Sequence, residues 1–150
     1  NLIGSSMGSF STLVPFFTFI IAAFISFATG TSWGTFGILI PIVVALLKDF
    51  DANLMIIAIS ASMAGSVFGD HCSPISDTTI MSSAGAQCEH MLHVSTQIPY
   101  ALVVSVVSAL CYIIAGIVRS PLIPLIVGLV VMFVLLMFLK NAKVPVKQKK

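Results

Sequence analysis

Charged residues are scarce in this sequence. Only 8% of the 150 residues are Asp, Glu, Lys or Arg, and 58% are hydrophobic, whereas an ordinary soluble domain is about 25% charged and 45–50% apolar. So few charges cannot cover the surface of a water-soluble globule, which excludes a soluble enzyme, a nucleic-acid-binding domain and a disordered chain. The composition predicts an all-α integral membrane protein whose main partner is the lipid bilayer.

Cysteines are also few, and the N-terminal stretch lacks a basic region. Cys72, Cys88 and Cys111 are an odd number in a chain without a secretory signal, so we expect no disulfide framework. About 20 residues cross the hydrocarbon once, which limits the chain to about five or six crossings. Because this is small for a complete carrier and the chain begins with Asn1, we expect a fragment or a processed product.

The basic residues that are present concentrate at the C-terminal end. A cluster of lysines after an apolar segment is typical of a cytoplasmic juxtamembrane segment, although a solvated tail without a role is compatible with the same topology. We therefore predict a multi-pass transmembrane part over residues 1–139 and a basic cytoplasmic tail over residues 140–150. The tail lysines are Lys140, Lys143, Lys147, Lys149 and Lys150.

Apolar segments occupy most of the remaining chain. They run over residues 13–28, 36–47, 54–68, 98–118 and 121–139. The last two are joined by Arg119 and Ser120, and Pro121 suits the first turn of a helix, so we predict a helical hairpin. The second segment is too short to cross a membrane.

Two polar stretches that contain glycine separate the first apolar segments, at residues 29–35 and 69–79. An unpaired backbone polar group costs several kcal/mol in lipid, so a helix break is tolerated only inside protein or beside water. Paired interruptions of this kind are typical of the ion or substrate site of a transporter. The alternative is that each stretch is an exposed loop between two short spans.

Asp70 and Asp77 are the carboxylates that fall within a polar interruption. Asp49, Asp51 and Glu89 lie at predicted membrane edges, and we interpret them as solvated loop residues. A carboxylate inside a membrane is costly and usually functional. Two carboxylates among hydroxyl groups and free carbonyls form an all-oxygen environment, which suits a hard cation such as sodium.

A carboxylate in this setting can also exchange sodium for a proton. Removal from water favours its protonated form, and a neighbouring cation favours its ionised form. Competition of two ions for one carboxylate is sufficient for antiport if the site opens to one side at a time. His71 either assists, because histidine titrates near neutral pH, or serves as a structural hydrogen-bond partner of a carboxylate.

Other chemistries fit the sequence less well. The His and Cys residues match no standard zinc spacing, and we interpret His90 and His93 as solvated loop residues. Ser73 and Ser76 lack the surroundings of a nucleophile elbow, so we expect no enzymatic activity and interpret them as cation contacts or helix caps. Trp33 is expected to pack against the site rather than to anchor at the membrane interface.

Two motifs resemble the NhaC-type sodium/proton antiporter family. They are F-A-T-G-T-S-W-G-T-F-G-I-L-I-P-I at residues 27–42 and G-S-V-F-G-D-H-C-S-P-I-S-D-T-T-I-M-S-S-A-G at residues 65–85. The resemblance extends over about residues 10–118. It implies the C-terminal part of an inner-membrane carrier, with the missing N-terminal half as its partner. It also implies half of an ion-transporter-like inverted-repeat fold with two interrupted, discontinuous or re-entrant segments.

The leading hypothesis is sodium/proton antiport, with Na⁺ and H⁺ as the transported ions, no cofactor and no other metal. Asp70, Asp77 and His71 would hold the ion and the proton, and the three lining glycines would permit the broken backbone. The alternatives are a malate/lactate antiporter of the same family and a non-transporting remnant or assembly module, and a homo-oligomer is one way to complete the site. The lining residues would be Gly30, Thr31, Ser32, Trp33, Gly34, Thr35, Gly69, Ser73, Pro74, Ser76, Thr78 and Thr79.

Overall fold

The structure, a computed structural model, describes the backbone of residues 2–48 and 51–141 and the side chains of residues 11–48 and 51–138. Within these ranges the chain is helical and contains no strand, which confirms the predicted all-α class. The predicted tail beyond residue 141 and Asp49 lie outside the described residues. The helices are α1 (Leu2–Thr29), α2 (Ser32–Leu47), α3 (Ala52–Cys72), α4 (Asp77–Gly85), α5 (His90–Val118) and α6 (Leu122–Asn141).

Three of the described helices are long and apolar enough to cross a membrane. They cover Ser11–Thr29, Ala52–Cys72 and His90–Val118. Helix α2 has 16 residues, which at 1.5 Å per residue is about 24 Å and falls short of about 30 Å of hydrocarbon. Large apolar side chains such as Phe24 and Phe138 are exposed on the outside of the bundle, as expected where the solvent is lipid rather than water.

Helices α1 and α3 run in the same direction and approach each other closely through small residues. Gly65 lies against the carbonyl oxygen of Phe19, and Gly69 lies against that of Ala23, so that a Cβ at either glycine would collide with α1. The four-residue spacing on both helices is the small-residue packing pattern of membrane helices. Gly69 therefore lies inside α3, and its interpretation as a residue that permits a broken backbone is wrong.

Helix α2 folds back along α1 and α3. Val43 and Leu47, near its end, form a buried cluster with Leu54 at the start of α3, and Val14 of α1 packs against this cluster. The first predicted interruption is thus the tight turn of an antiparallel helix pair.

Helices α5 and α6 complete the bundle and form the predicted hairpin. Gly116 lies against the Thr12 carbonyl group, which sets α5 antiparallel to α1. Arg119 ends α5 with a left-handed φ of 54° and lies 3.9 Å from Asp51 at the start of α3. This exposed ion pair adds at most about 1 kcal/mol, but it marks one end of the bundle. Asp70 lies about 28 Å further along α3.

The α1–α2 and α3–α4 loops are shorter than the sequence pattern predicts. The α1–α2 loop consists of residues 30 and 31, and the α3–α4 loop consists of residues 73–76. Helix α3 ends where a proline follows, because the residue before a proline disfavours the α conformation, and Ser73 is extended with ψ of 127°. Gly34 lies in the first turn of α2, so it does not permit a broken backbone either.

Candidate functional site

The α1–α2 and α3–α4 loops meet at one end of the bundle. Gly30 ends α1 with φ of +69°, and a Cβ placed on it would lie 2.7 Å from the carbonyl oxygen of Ile75. The close parallel contact of α1 and α3 causes this, because Gly69 packs against α1 within one turn of the end of α3. The two polar stretches of the sequence therefore form one polar region.

The centre of this region is the Asp70 carboxylate, which is only 3% exposed. The Ser76 hydroxyl donates a hydrogen bond of 2.7 Å to Oδ1 of Asp70, and the Thr78 hydroxyl donates one of 3.1 Å to Oδ2. The two hydroxyl oxygens are themselves 2.8 Å apart. Carboxylate and hydroxyls thus form a closed ring of three contacts, which we call the Asp70 ring (Asp70, Ser76 and Thr78).

Local sequence explains why the ring forms. Ser76 is the N-cap of α4, and its hydroxyl also accepts from the Thr79 backbone N–H at 3.5 Å. In the α3–α4 loop the Ser73 N–H donates to the Asp70 carbonyl and the Ser76 N–H donates to the Ser73 carbonyl, at 3.0 and 3.3 Å. This folded loop turns the first turn of α4 towards the carboxylate, where the helix dipole favours negative charge.

The number of hydrogens in the Asp70 ring depends on protonation. Each hydroxyl carries one hydrogen and an ionised carboxylate carries none, so two hydrogens serve three contacts when Asp70 is ionised. A proton on Asp70 supplies the third hydrogen, and every contact in the ring then has a donor. The ring is therefore complete for a protonated acid and one hydrogen short for a carboxylate.

Hydroxyl groups around the α1–α2 loop bond mainly to backbone. The Thr31 hydroxyl caps α2 by accepting from the Gly34 N–H at 3.4 Å. The Thr35 hydroxyl donates to the Thr31 carbonyl at 2.8 Å and lies 3.3 Å from the Thr29 hydroxyl. Ser32 is also buried. These groups stabilise the turn, and none of residues 29–35 is a carboxylic acid.

One hydroxyl connects the two polar stretches through the backbone. The buried Ser26 hydroxyl donates at 2.6 Å to the Ser66 carbonyl of α3, and it lies 3.2 Å from the Thr31 carbonyl. The bond crosses the α1–α3 interface one turn before Asp70. This bond fixes the position of the α1–α2 loop along the bundle relative to the Asp70 carboxylate.

Three predicted site residues have exposed side chains. Asp77 is exposed in the first turn of α4. His71 is exposed as well, and its Nδ1 lies 2.9 Å from the carbonyl of Val67 in its own helix. Trp33 is 78% exposed and its ring contacts Phe36. Trp33 points away from the buried face of α2, and its packing against the site stays a prediction.

His90 is a residue of the site that the sequence reasoning missed. It begins α5, where Nε2 lies 2.6 Å from the carbonyl oxygen of Pro74 and Nδ1 lies 3.0 Å from the Ser83 hydroxyl. Its interpretation as a solvated loop residue is therefore wrong. The feature that could have pointed to His90 is the short α4–α5 connection of residues 86–89, because it keeps the first turn of α5 close to α4.

The zinc alternative finds no support in the geometry. Within the described part of the chain, no three His, Cys, Asp or Glu side chains are grouped so that they could hold a metal ion together. The oxygen-rich Asp70 ring is the polar cluster to which the sequence motifs point.

Comparison with known proteins gives one family. Residues 3–117 match the model of the family described as the Na⁺/H⁺ antiporter family. An uncharacterised protein of Haemophilus influenzae is 50% identical over 109 residues, which is 73% of this chain and 21% of that protein. No solved structure matches the chain.

Two further relatives carry functional names. A malate-2H⁺/Na⁺-lactate antiporter of Bacillus subtilis is 32% identical over 99 residues, which cover 66% of this chain and 21% of the relative. An uncharacterised Na⁺/H⁺ antiporter of Haemophilus influenzae is 36% identical over 96 residues, which cover 64% of this chain and 20% of the relative. The chain thus spans about a fifth of the length of these curated relatives.

Proposed function

The chain belongs to the Na⁺/H⁺ antiporter family, and from this premise we propose that it carries the carboxylate at which sodium and protons compete. It is a multi-pass membrane protein of a family of antiporters rather than of enzymes. Because the chain spans about a fifth of its relatives' length, we propose that further segments supply the other wall of the site. The whole carrier would exchange sodium for protons across the cytoplasmic membrane.

The observation that carries this proposal is the Asp70 ring. In the proton-loaded form, Asp70 donates to Thr78, Thr78 donates to Ser76, and Ser76 donates back to the carboxyl group, so all three contacts are satisfied. In the sodium-loaded form, the ionised carboxylate and the two hydroxyl oxygens turn their lone pairs to the cation, as oxygen ligands do for hard cations. One buried group thus offers two exclusive ways to balance its charge.

The proposed exchange follows from the cost of a bare carboxylate in this place. An ionised carboxylate away from water is unfavourable unless it is paired with a cation, so loss of sodium favours uptake of a proton and arrival of sodium favours its release. For the site to open to one side of the membrane at a time, the carrier would need the further segments that its longer relatives contain.

The orientation belongs to the same proposal. If the lysine-rich tail lies in the cytoplasm, α6 runs inwards and Arg119 faces outside. The loops around Asp70 then lie towards the cytoplasm, at the other end of α3. We also propose that α3 and α4 form one interrupted or re-entrant segment of an inverted-repeat fold, because a polar loop beside an acid is typical of transporter sites.

The test is sodium-driven proton flux in proteoliposomes, with a carrier of the relatives' full length that contains this segment. We expect Asp70→Asn, which keeps the shape but cannot ionise, to lower the flux to that of protein-free vesicles. The matched control is Asp77→Asn, which changes the exposed acid of α4, and we expect its flux to stay measurable. Undiminished exchange in Asp70→Asn would contradict the proposal.

A second candidate is sodium- or proton-coupled transport of an organic acid, favoured by the similarity to the Bacillus subtilis malate/lactate antiporter. The first turn of α4 could then face the substrate carboxylate. Arg119 would not contribute, because it pairs with Asp51 at the opposite end of α3. Uptake of labelled lactate or malate that depends on Asp70 would favour this candidate, and flux that needs only sodium and protons would favour the first.

A further inference from the structure

We infer that His90 is a positioning residue, which holds the α3–α4 loop so that the Ser76 hydroxyl meets Asp70. The inference rests on the proposed function, because it names what sets the geometry of that site. His90 belongs to a different helix from any member of the Asp70 ring. Its side chain joins the start of α5 to the loop and to α4.

The imidazole contacts define its role. The Pro74 carbonyl can only accept a hydrogen bond, so the nitrogen 2.6 Å away, Nε2, must carry a hydrogen and donate. Nδ1 lies 3.0 Å from the Ser83 hydroxyl, and the Ile80 carbonyl oxygen lies 2.9 Å from the same hydroxyl. The His90 imidazole therefore contacts both the α3–α4 loop and the middle of α4. Through this side chain, the loop and α4 are attached to the first turn of α5.

The bond to Pro74 acts on the ion site through two residues of chain. Pro74 precedes Ser76 by two positions, and the Ser76 hydroxyl is 2.7 Å from the Asp70 carboxylate. The next carbonyl along the chain, that of Ile75, is in contact with Gly30. Two successive carbonyl groups of the loop thus contact two other parts of the chain, the start of α5 and the α1–α2 loop, and loss of the His90 bond would free the first of them.

Two substitutions separate the two nitrogen contacts. A glutamine amide nitrogen lies as many bonds from Cα as Nε2, so His90→Gln can keep the bond to Pro74. An asparagine amide nitrogen matches Nδ1 instead, so His90→Asn can keep only the contact with Ser83. His93→Gln, three residues along the same helix, is the matched control for a histidine change in α5.

The first readout is the sodium dependence of proton flux in the full-length carrier. We expect His90→Asn to raise the half-saturating sodium concentration about tenfold, the effect of losing one partly buried hydrogen bond, with the maximal rate changed by less than about twofold. His90→Gln and His93→Gln should stay within about twofold of the original carrier. A His90→Gln variant as impaired as His90→Asn would overturn the inference, because the bond to Pro74 would then not be the cause.

The second readout does not depend on transport. Hydrogen exchange of the amides of residues 75–79 should be about tenfold faster in His90→Asn than in His90→Gln, with the amides in the middle of α5 as the internal reference for intact folding. Equal exchange in the two variants would overturn the inference. If the unaltered carrier moves no protons with sodium, the proposed function fails, yet the exchange rates still decide whether His90 positions the loop.

Discussion

The α1–α2 loop consists of Gly30 and Thr31, whereas the α3–α4 loop has four residues, 73–76, and follows Asp70. The polar stretches that contain these loops are rich in Gly, Ser and Thr, and the loops are in contact through Gly30 and Ile75. Next to the first loop, in α2, the Thr35 hydroxyl bonds to a backbone carbonyl. In the second loop the Ser76 hydroxyl bonds to a buried carboxylate.

The difference shows that similar composition can serve two purposes in a membrane protein. Around the first loop, hydroxyls satisfy backbone groups that would otherwise be costly to leave unpaired in lipid. Around the second loop, hydroxyls bond to a buried carboxylate, the group at which we propose that sodium and protons compete. The first loop supports the second, and the following predictions test this division from the largest expected effect to the smallest.

The largest effect is expected where the loops touch. Gly30→Ala places a side chain at φ of +69° and against the Ile75 carbonyl, which costs about 1–2 kcal/mol for the conformation alone and more for the collision. We expect a clearly lower thermal unfolding midpoint in detergent, together with weaker sodium-driven proton flux. Gly37→Ala is the control, because a Cβ there meets nothing within 4 Å. Equal midpoints for the two variants would show that the loops are not in contact.

An intermediate effect is expected when one buried hydroxyl is removed at each polar stretch. Ser76→Ala removes one of the proposed oxygen ligands of sodium, so we expect the half-saturating sodium concentration to rise about tenfold or more, because a polar contact with a charged group is worth about 1.5–3 kcal/mol. Thr35→Val removes a hydroxyl that bonds to backbone, and we expect about 1 kcal/mol lower stability with little change in sodium dependence. A changed sodium dependence in Thr35→Val, together with a loss of stability alone in Ser76→Ala, would contradict this division of roles.

The smallest effect is expected at Trp33, on the exposed face of the first turn of α2. Trp33→Leu keeps an apolar side chain on the outside of the bundle, and we expect flux and stability to change by less than about 0.5 kcal/mol, or about twofold. Thr35→Val, on the buried face of the same helix, is the comparison for stability. Loss of sodium-dependent flux in Trp33→Leu would support the prediction from the sequence that Trp33 lines the site.

Much of the fold followed from short-range patterns. The apolar segments at residues 98–118 and 121–139 became α5 and α6, and the turn at Arg119 lies where the hairpin was predicted. Gly69 was misinterpreted, because a glycine in a sequence does not reveal whether it bends the backbone or allows another helix to approach. That choice depended on the Ala23 carbonyl, which lies 46 residues earlier in the chain.

The candidate site was predictable only in part for the same reason. Asp70 and Asp77 have equal standing in the motif, since both flank the same Ser/Thr-rich stretch. In the fold, the end of α3 is packed against α1, whereas the first turn of α4 is open on one side, so Asp70 is buried and Asp77 is exposed. His90 was missed because its partners Pro74 and Ser83 lie on other elements.

The sequence by itself determined the solvent and the helical class, because the small share of charged residues cannot form a water-facing surface and lipid requires backbone groups to pair within helices. It also determined the family, through two long motifs. Only the tertiary structure decided which acid is enclosed, which hydroxyls face it and which histidine holds the loop. These depend on the close packing of α1 on α3 at Gly65 and Gly69, a contact between residues far apart in the chain.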